Sequence, residues 1–300
     1  MIELMTDLYI SVCLAIFGAA LGSYAAASVW RLRAAQLRAD AATGETIATQ
    51  DTAQVKRLAK TSRAGKYDRS VCLHCGRQLS WYDMIPIVSW LAVRGRCRTC
   101  KQPIGVMELW AEVLLGIAFV ASYWVWPFEF TPLGVVLFVL WLIALVLLAI
   151  HWMYDAKWFL LLDKITLILM AVALLYAGLS LADLPNDQLF AALKGLSYTL
   201  AVLPGFYGLL HVISRGAWVG LGDVKLLVPF ALMLPAWEHG VLLIFLANLI
   251  GCVVLMPLIL RKKLARTTRV PFGPFLIVAF VVTFLFGQRI LDAYFSLMLF

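Results

Sequence analysis

The sequence predicts an all-α polytopic membrane protein, with about eight transmembrane helices and a small cytoplasmic four-cysteine, zinc-binding domain between helices 1 and 2. Three observations predict it. Hydrophobic residues make up 63% of the 300 positions and charged residues 14%, and the mean hydropathy is +0.90, outside the composition of ordinary soluble domains. The apolar residues gather in runs close to the ~20 residues a helix needs to cross ~30 Å of hydrocarbon, where backbone groups must satisfy one another within the segment. One polar stretch, 31–105, is long enough for an extramembrane domain, and it holds four of the six cysteines.

Spans are expected near 8–30, 106–126, 132–152, 164–183, 188–213, 223–237, 239–260 and 271–291. The first has Glu3 and Asp7 before it and Arg31, Arg33 and Arg38 after it. A signal peptide has the opposite polarity, so this is an uncleaved helix with its N-terminus outside. Alternation then assigns 31–105, 153–163, 214–222 and 261–270 to the cytoplasm. Fourteen Lys/Arg residues lie in the first of these and Arg261, Lys262, Lys263, Arg266 and Arg269 in the last, whereas only Lys194 and Arg289 fall toward the outer face. The net charge of +8 is thereby explained by topology and contact with anionic lipid. No basic stretch interleaved with aromatics points to nucleic acid. The fifth span is interrupted by Pro204-Gly205 and the sixth is short. Three regions follow: a first transmembrane helix (1–30), a cytoplasmic domain (31–105) and a seven-helix membrane core (106–300).

Within the cytoplasmic domain, CLHC and CRTC place Cys72, Cys75, Cys97 and Cys100 in a C-x2-C…C-x2-C pattern with 21 residues between the pairs. Four thiolates so spaced can surround Zn²⁺ tetrahedrally, and four protein ligands leave no open position for chemistry, so the zinc is structural. Arg96, Arg98 and Lys101 offset its negative charge. Two disulfides are the alternative, which a cytoplasmic location disfavours. Cys13 and Cys252 lie within spans and read as core residues.

The carboxylates near the membrane carry the chemistry. Asp155 ends the third span and Asp223, in GLGDVK, begins the sixth, so both stand at the same depth. A carboxylate beside hydrocarbon needs a partner or a task. Two carboxylates brought together share a proton; one can act as general base on water while the other donates to a carbonyl oxygen, as in aspartic proteolysis. Gly220 and Gly222 let a substrate backbone approach. The plainer alternative is that Asp223 caps the sixth helix with Lys225 as its ion-pair partner.

Four ordered stretches resemble the prepilin leader peptidases, membrane aspartic proteases of the G-x-G-D type. LGSYAAASVWRL (21–32) is similar to the family's first-helix signature. VCLHCGRQLSWYDMIPIVSWLAVRGRCRTCKQPI (71–104) follows its four-cysteine domain, GLGDVKLL (220–227) its catalytic motif, and VPFGPFL (270–276) its P-F-G-P segment. The departures are Tyr24, Ala26, Leu73 and Leu162 at signature positions, and Met107-Glu108-Leu109 where the family has R-Y-P before a second-helix Glu, a position that Glu112 keeps.

The resemblance implies catalysis by Asp155 with Asp223, with Asp163 as a supporting or competing acid and Gly220, Gly222, Lys225 and Glu112 as substrate-binding or supporting residues. It implies an inner-membrane endopeptidase that removes a short basic leader from type IV prepilins or type II secretion pseudopilins. It also implies N-methylation of the new terminus with S-adenosylmethionine, for which no binding residues are assigned. Asp83 or Glu112 is expected to receive the basic leader. Two other readings stay open: another G-x-G-D protease such as a preflagellin peptidase, and a proton- or ion-coupled transport or assembly protein using the same acids.

Overall fold

The computed structural model describes residues 2–42, 70–261 and 270–298. The polar stretch 43–69 and the basic residues 262–269 lie outside them. The chain forms two compact units, Met1–Tyr123 and Trp124–Phe300, and the regular structure described is helical apart from two isolated β-bridges. Among the described residues, seven helical stretches are long and apolar enough to cross a membrane, which makes this a multi-pass membrane protein.

In the first unit, α1 (Ile2–Ala42) is far longer than its expected span. The Ala, Leu, Arg and Gln residues of 31–42 are strong helix formers with no Gly or Pro to stop them. α1 lies against α3 (Val106–Trp124) through small residues. A Cβ at Gly22 would fall 2.5 Å from the Ala111 carbonyl oxygen, and one at Gly18 would fall 2.8 Å from that of Leu115. This four-residue glycine spacing permits close backbone approach where lipid supplies no hydrophobic drive. Tyr123 Oη donates to Asp7 Oδ1 at 2.8 Å, tying the far end of α3 to the start of α1. Between them, a 3₁₀ turn (Trp81–Met84) and the short α2 (Val88–Ala92) accompany the cysteine pairs.

The second unit contains α4 (Pro132–Trp158), α5 (Asp163–Ala182), α6 (Asn186–Leu200), α7 (Phe206–Ile213), α8 (Leu221–Met233), α9 (Trp237–Leu260) and α10 (Gly273–Met298). The fifth expected span is not broken at Pro204. A π turn, Ala201–Gly205, joins α6 to α7 and accommodates the missing N–H within one helical path. The sixth is α8, whose 13 residues cover about 20 Å and which is not among the seven. Its C-cap Leu234 is extended, as a residue before proline prefers. α4 packs on α5 and α10, α8 lies against α5, and α9 pairs with α10. Aromatic faces fill the centre: Trp141 stacks on Phe284 at 3.9 Å and Phe230 on Phe280 at 4.0 Å, all but Phe284 with essentially no exposure.

Candidate active site and four-cysteine centre

Asp155 stands in the last turn of α4 and is 5% exposed. The helix stops just beyond it, where Phe159 turns left-handed (φ 57°) and donates its N–H to the Asp155 carbonyl at 2.9 Å. The carboxylate has one direct backbone partner, the N–H of Gly273, which donates to Oδ2 at 3.0 Å. Gly273 is the first residue of α10. A helix N-terminus has free N–H groups and a positive dipole end, and here it is aimed at the acid. A Cβ at 273 would lie 2.6 Å from Oδ2, so the approach requires glycine.

Asp223 is the third residue of α8 and half-buried. Its carboxylate folds back toward the Gly220 backbone. The two acids are brought together: the Asp155 charge is felt at Asp223, and a single side chain, Leu161, touches the backbone next to each. A Cβ at Gly222 would meet Leu161 Cβ at 3.2 Å, and one at Gly273 would meet Leu161 Cδ2 at 3.5 Å. Gly222 therefore makes room for Leu161. A Cβ at Gly220 would come 3.3 Å from Asp223 Oδ2, so Gly220 is the residue that borders the carboxylate.

Asp163 and Lys225 stand apart from this pair. Lys225 Nζ donates to Asp163 Oδ1 at 2.8 Å, with side chains 44% and 74% exposed. Lys225 thus pairs with Asp163 rather than with Asp223, which corrects the capping alternative in its choice of partner. Glu112, in the first unit, is 9% exposed and accepts the Ile87 N–H at 2.6 Å. Ile87 is a β-branched residue at φ 61°, a strained conformation. Glu112 is thus a buried anchor for the segment before α2.

Asp83 is also committed. Arg77 Nη2 and Arg98 Nε donate to its two oxygens, the latter at 2.8 Å, and its side chain is 7% exposed. Burial pushes the Asp83 carboxyl up, but Arg98, the Ser80 N–H and Arg77 outweigh it and hold the group below the usual carboxylate range. Both acids are thus engaged within the fold.

The sequence alone does not mark Gly273 as a residue of this site. The available signal was a glycine opening an apolar helix inside PFGP, where a free N–H is guaranteed. His151 is wholly buried, one turn before Asp155 on the same helix face, with Nε2 3.3 Å from Thr166 Oγ1 of α5.

The four cysteines converge as their spacing predicts. Their sulfurs all lie within 4.8 Å of one another, none is in a disulfide, and Cys72 Sγ is 3.8 Å from Cys100 Sγ. Four thiolates at ~2.3 Å around one tetrahedral zinc would stand about 3.8 Å apart. Each pair forms the same knuckle. Gly76 N–H donates to Cys72 O at 2.9 Å and Lys101 N–H to Cys97 O at 3.0 Å, with Gly76 and Lys101 both at positive φ (75° and 57°). The donor set and its size fit a metal ion. Cys13 and Cys252, expected in the core, are both exposed.

Residues 16–126 match a family model described as Bacterial Peptidase A24 N-terminal domain, and residues 137–256 match the Type IV leader peptidase family. Curated relatives carry the name Prepilin leader peptidase/N-methyltransferase. That of Stutzerimonas stutzeri is 32% identical over 229 residues, 75% of this chain and 74% of the relative. Those of Pseudomonas aeruginosa and Aeromonas hydrophila are 31% and 30% identical, covering 75% and 74% of this chain and 74% and 73% of their own lengths. No solved structure matches the chain.

Proposed function

Since this chain belongs to the type IV leader peptidase family, we propose that Asp155 and Asp223 are the catalytic pair with which it removes the leader of prepilins or type II secretion pseudopilins. The observation that carries the assignment is their convergence around Leu161, with Gly273 N–H on Asp155 and the Gly220 backbone beside Asp223.

The Gly273 N–H fixes the Asp155 carboxylate from within the protein. Of the two acids, the ionised one takes a proton from water as the oxygen attacks the scissile carbonyl, and the protonated one donates to the carbonyl oxygen. The resulting diol collapses, the C–N bond breaks, and the departing nitrogen takes a proton from the pair. The leader leaves with a carboxyl terminus, and the membrane segment keeps a new amine.

The site lies where α4 ends and α8 begins, so a substrate that is polar on one side of the cut and apolar on the other would place its bond there. We assign the enzyme to the bacterial cytoplasmic membrane, with the catalytic pair and the four-cysteine module on the cytoplasmic side, as the Lys/Arg distribution supports. Zinc is the metal proposed for Cys72, Cys75, Cys97 and Cys100, in a structural role. The relatives' shared name supports N-methylation of the new amine as a second activity with S-adenosylmethionine as donor, and no residue is assigned to that donor. Family membership sets the transport reading aside.

Co-expression of a prepilin with Asp155→Asn or Asp223→Asn tests the assignment. The full-length prepilin should accumulate with either variant, and leader removal by both variants would reject the pair.

A further inference from the structure

Between Val241 and Leu260 the sequence of α9 is apolar, VLLIFLANLIGCVVLMPLIL, except for one carboxamide, Asn248. Asn248 is exposed on the helix surface. Its Nδ2 donates to Ile244 O at 2.8 Å in its own helix and reaches Tyr207 Oη at 3.4 Å. Among the described residues its side-chain oxygen has no partner. A carboxamide facing lipid at this depth is unfavourable unless something polar comes to it.

Asn248 lies at one end of a groove of about 270 Å³. The groove follows one face of α9 at helical spacing, through Gly251, Cys252, Leu255 and Ile259, and its opposite wall includes Phe272 and Phe275. Asn248 and Ile259 are separated by about 16 Å along the axis, so the groove runs from mid-helix toward the end of α9. Neither proposed catalytic acid lines it, but its wall leads to them through Phe272. Phe272 leads directly into Gly273, whose N–H holds Asp155. Tyr207, buried and stacked near Phe272 at 6.0 Å and 26°, feels the charge of Asp223.

We infer that this groove is a specificity subsite of the cleavage reaction, taking a large apolar side chain from the membrane segment of the substrate just beyond the cut, with Asn248 hydrogen-bonding that segment's main chain. The inference rests on Asp155 and Asp223 being the catalytic pair. Main chain beside a scissile bond cannot be in an intact helix, so its N–H and C=O groups need partners within the bilayer. An acyl chain could line the same wall but has no use for the carboxamide. A Cβ at Gly251 would meet the Phe275 ring at 3.5 Å, ordinary contact, so a larger residue there fills the groove without displacing backbone.

The test uses full-length protein and two prepilins that differ only in the residue after the cut, phenylalanine or alanine. For Gly251→Leu, the ratio of kcat/KM for the phenylalanine substrate to that for the alanine substrate should fall at least tenfold. General damage would lower both together, and an unchanged ratio overturns the subsite. Asn248→Leu should raise KM about tenfold with kcat little altered, and a loss confined to kcat counts against the main-chain contact.

A second measurement separates this inference from the catalytic assignment. In a Cys13→Ser protein that also carries Asp155→Asn and Asp223→Asn, alkylation of Cys252 by N-ethylmaleimide is followed by mass spectrometry. Bound prepilin should slow it at least fivefold. No protection while the Asp variants are inactive overturns the groove and leaves the pair standing. Protection while those variants still cleave overturns the pair and supports the groove. Equal protection by phosphatidylglycerol vesicles lacking prepilin would make lipid the occupant and overturn the proposal.

Discussion

The backbone N–H of Gly273 donates to Asp155 Oδ2 at 3.0 Å across 118 positions of sequence, in a fully buried contact. It joins the end of α4 to the start of α10 and puts a helix N-terminus on a carboxylate. Gly273→Ala should reduce leader cleavage at least tenfold to a hundredfold, the range expected when a hydrogen bond to a charged group is lost, because the added methyl would collide with Oδ2. Cleavage kinetics on purified protein check this. Activity within threefold of the unmodified enzyme would show that the contact is dispensable.

The Lys225–Asp163 pair is exposed on both sides, and pairs of that kind contribute ~0–1 kcal/mol. Asp163→Asn and Lys225→Met should therefore cleave within about threefold of the unmodified rate. The same assay distinguishes Asp163 from Asp155 as the catalytic acid: a complete loss with Asp163→Asn would move the chemistry to the surface site.

If Cys72, Cys75, Cys97 and Cys100 hold zinc, purified protein should contain about one zinc per chain, measured by elemental analysis. A Cys72→Ser/Cys75→Ser variant should contain none. Metal-free protein prepared without chelator would contradict the assignment.

Asp83 couples the two knuckles by accepting from Arg77 after the first and Arg98 within the second. Its folded pKa lies below the ordinary carboxylate value, so its stabilisation is fully present above about pH 4 and is lost as pH falls through the folded value. Asp83→Asn should make the four cysteines more reactive to a thiol reagent at pH 7. The difference from the unmodified protein in urea resistance should shrink as the pH is lowered toward 3. A difference that stays constant with pH would mean that the charge is not what acts.

Much of this was legible in the sequence because the informative features were local. Cys72, Cys75, Cys97 and Cys100 announce a four-sulfur centre by spacing alone, and Asp155 and Asp223 stand out as acids at the ends of apolar runs. What was not legible depends on which distant backbone group arrives. Gly273 carries no side chain to mark it, and its role follows only once α10 meets α4. Asp83 and Glu112 read as free acids until folding gives them Arg98 and the Ile87 N–H. Pro204 resembled a break because the sequence does not reveal that a π turn can absorb it. The sixth expected span, already short in the sequence, ends sooner still in α8 because Pro235 forces Leu234 to be extended.

The central claim is that Asp155 and Asp223 act as one unit, and the rate of leader removal by purified Asp155→Asn, Asp223→Asn and the double variant tests it most directly. Residues that work together lose activity non-additively. Each single variant should fall by at least ~10³-fold, with the double variant no worse than either. A single variant retaining a tenth of the activity, or losses that multiply in the double variant, would contradict the account.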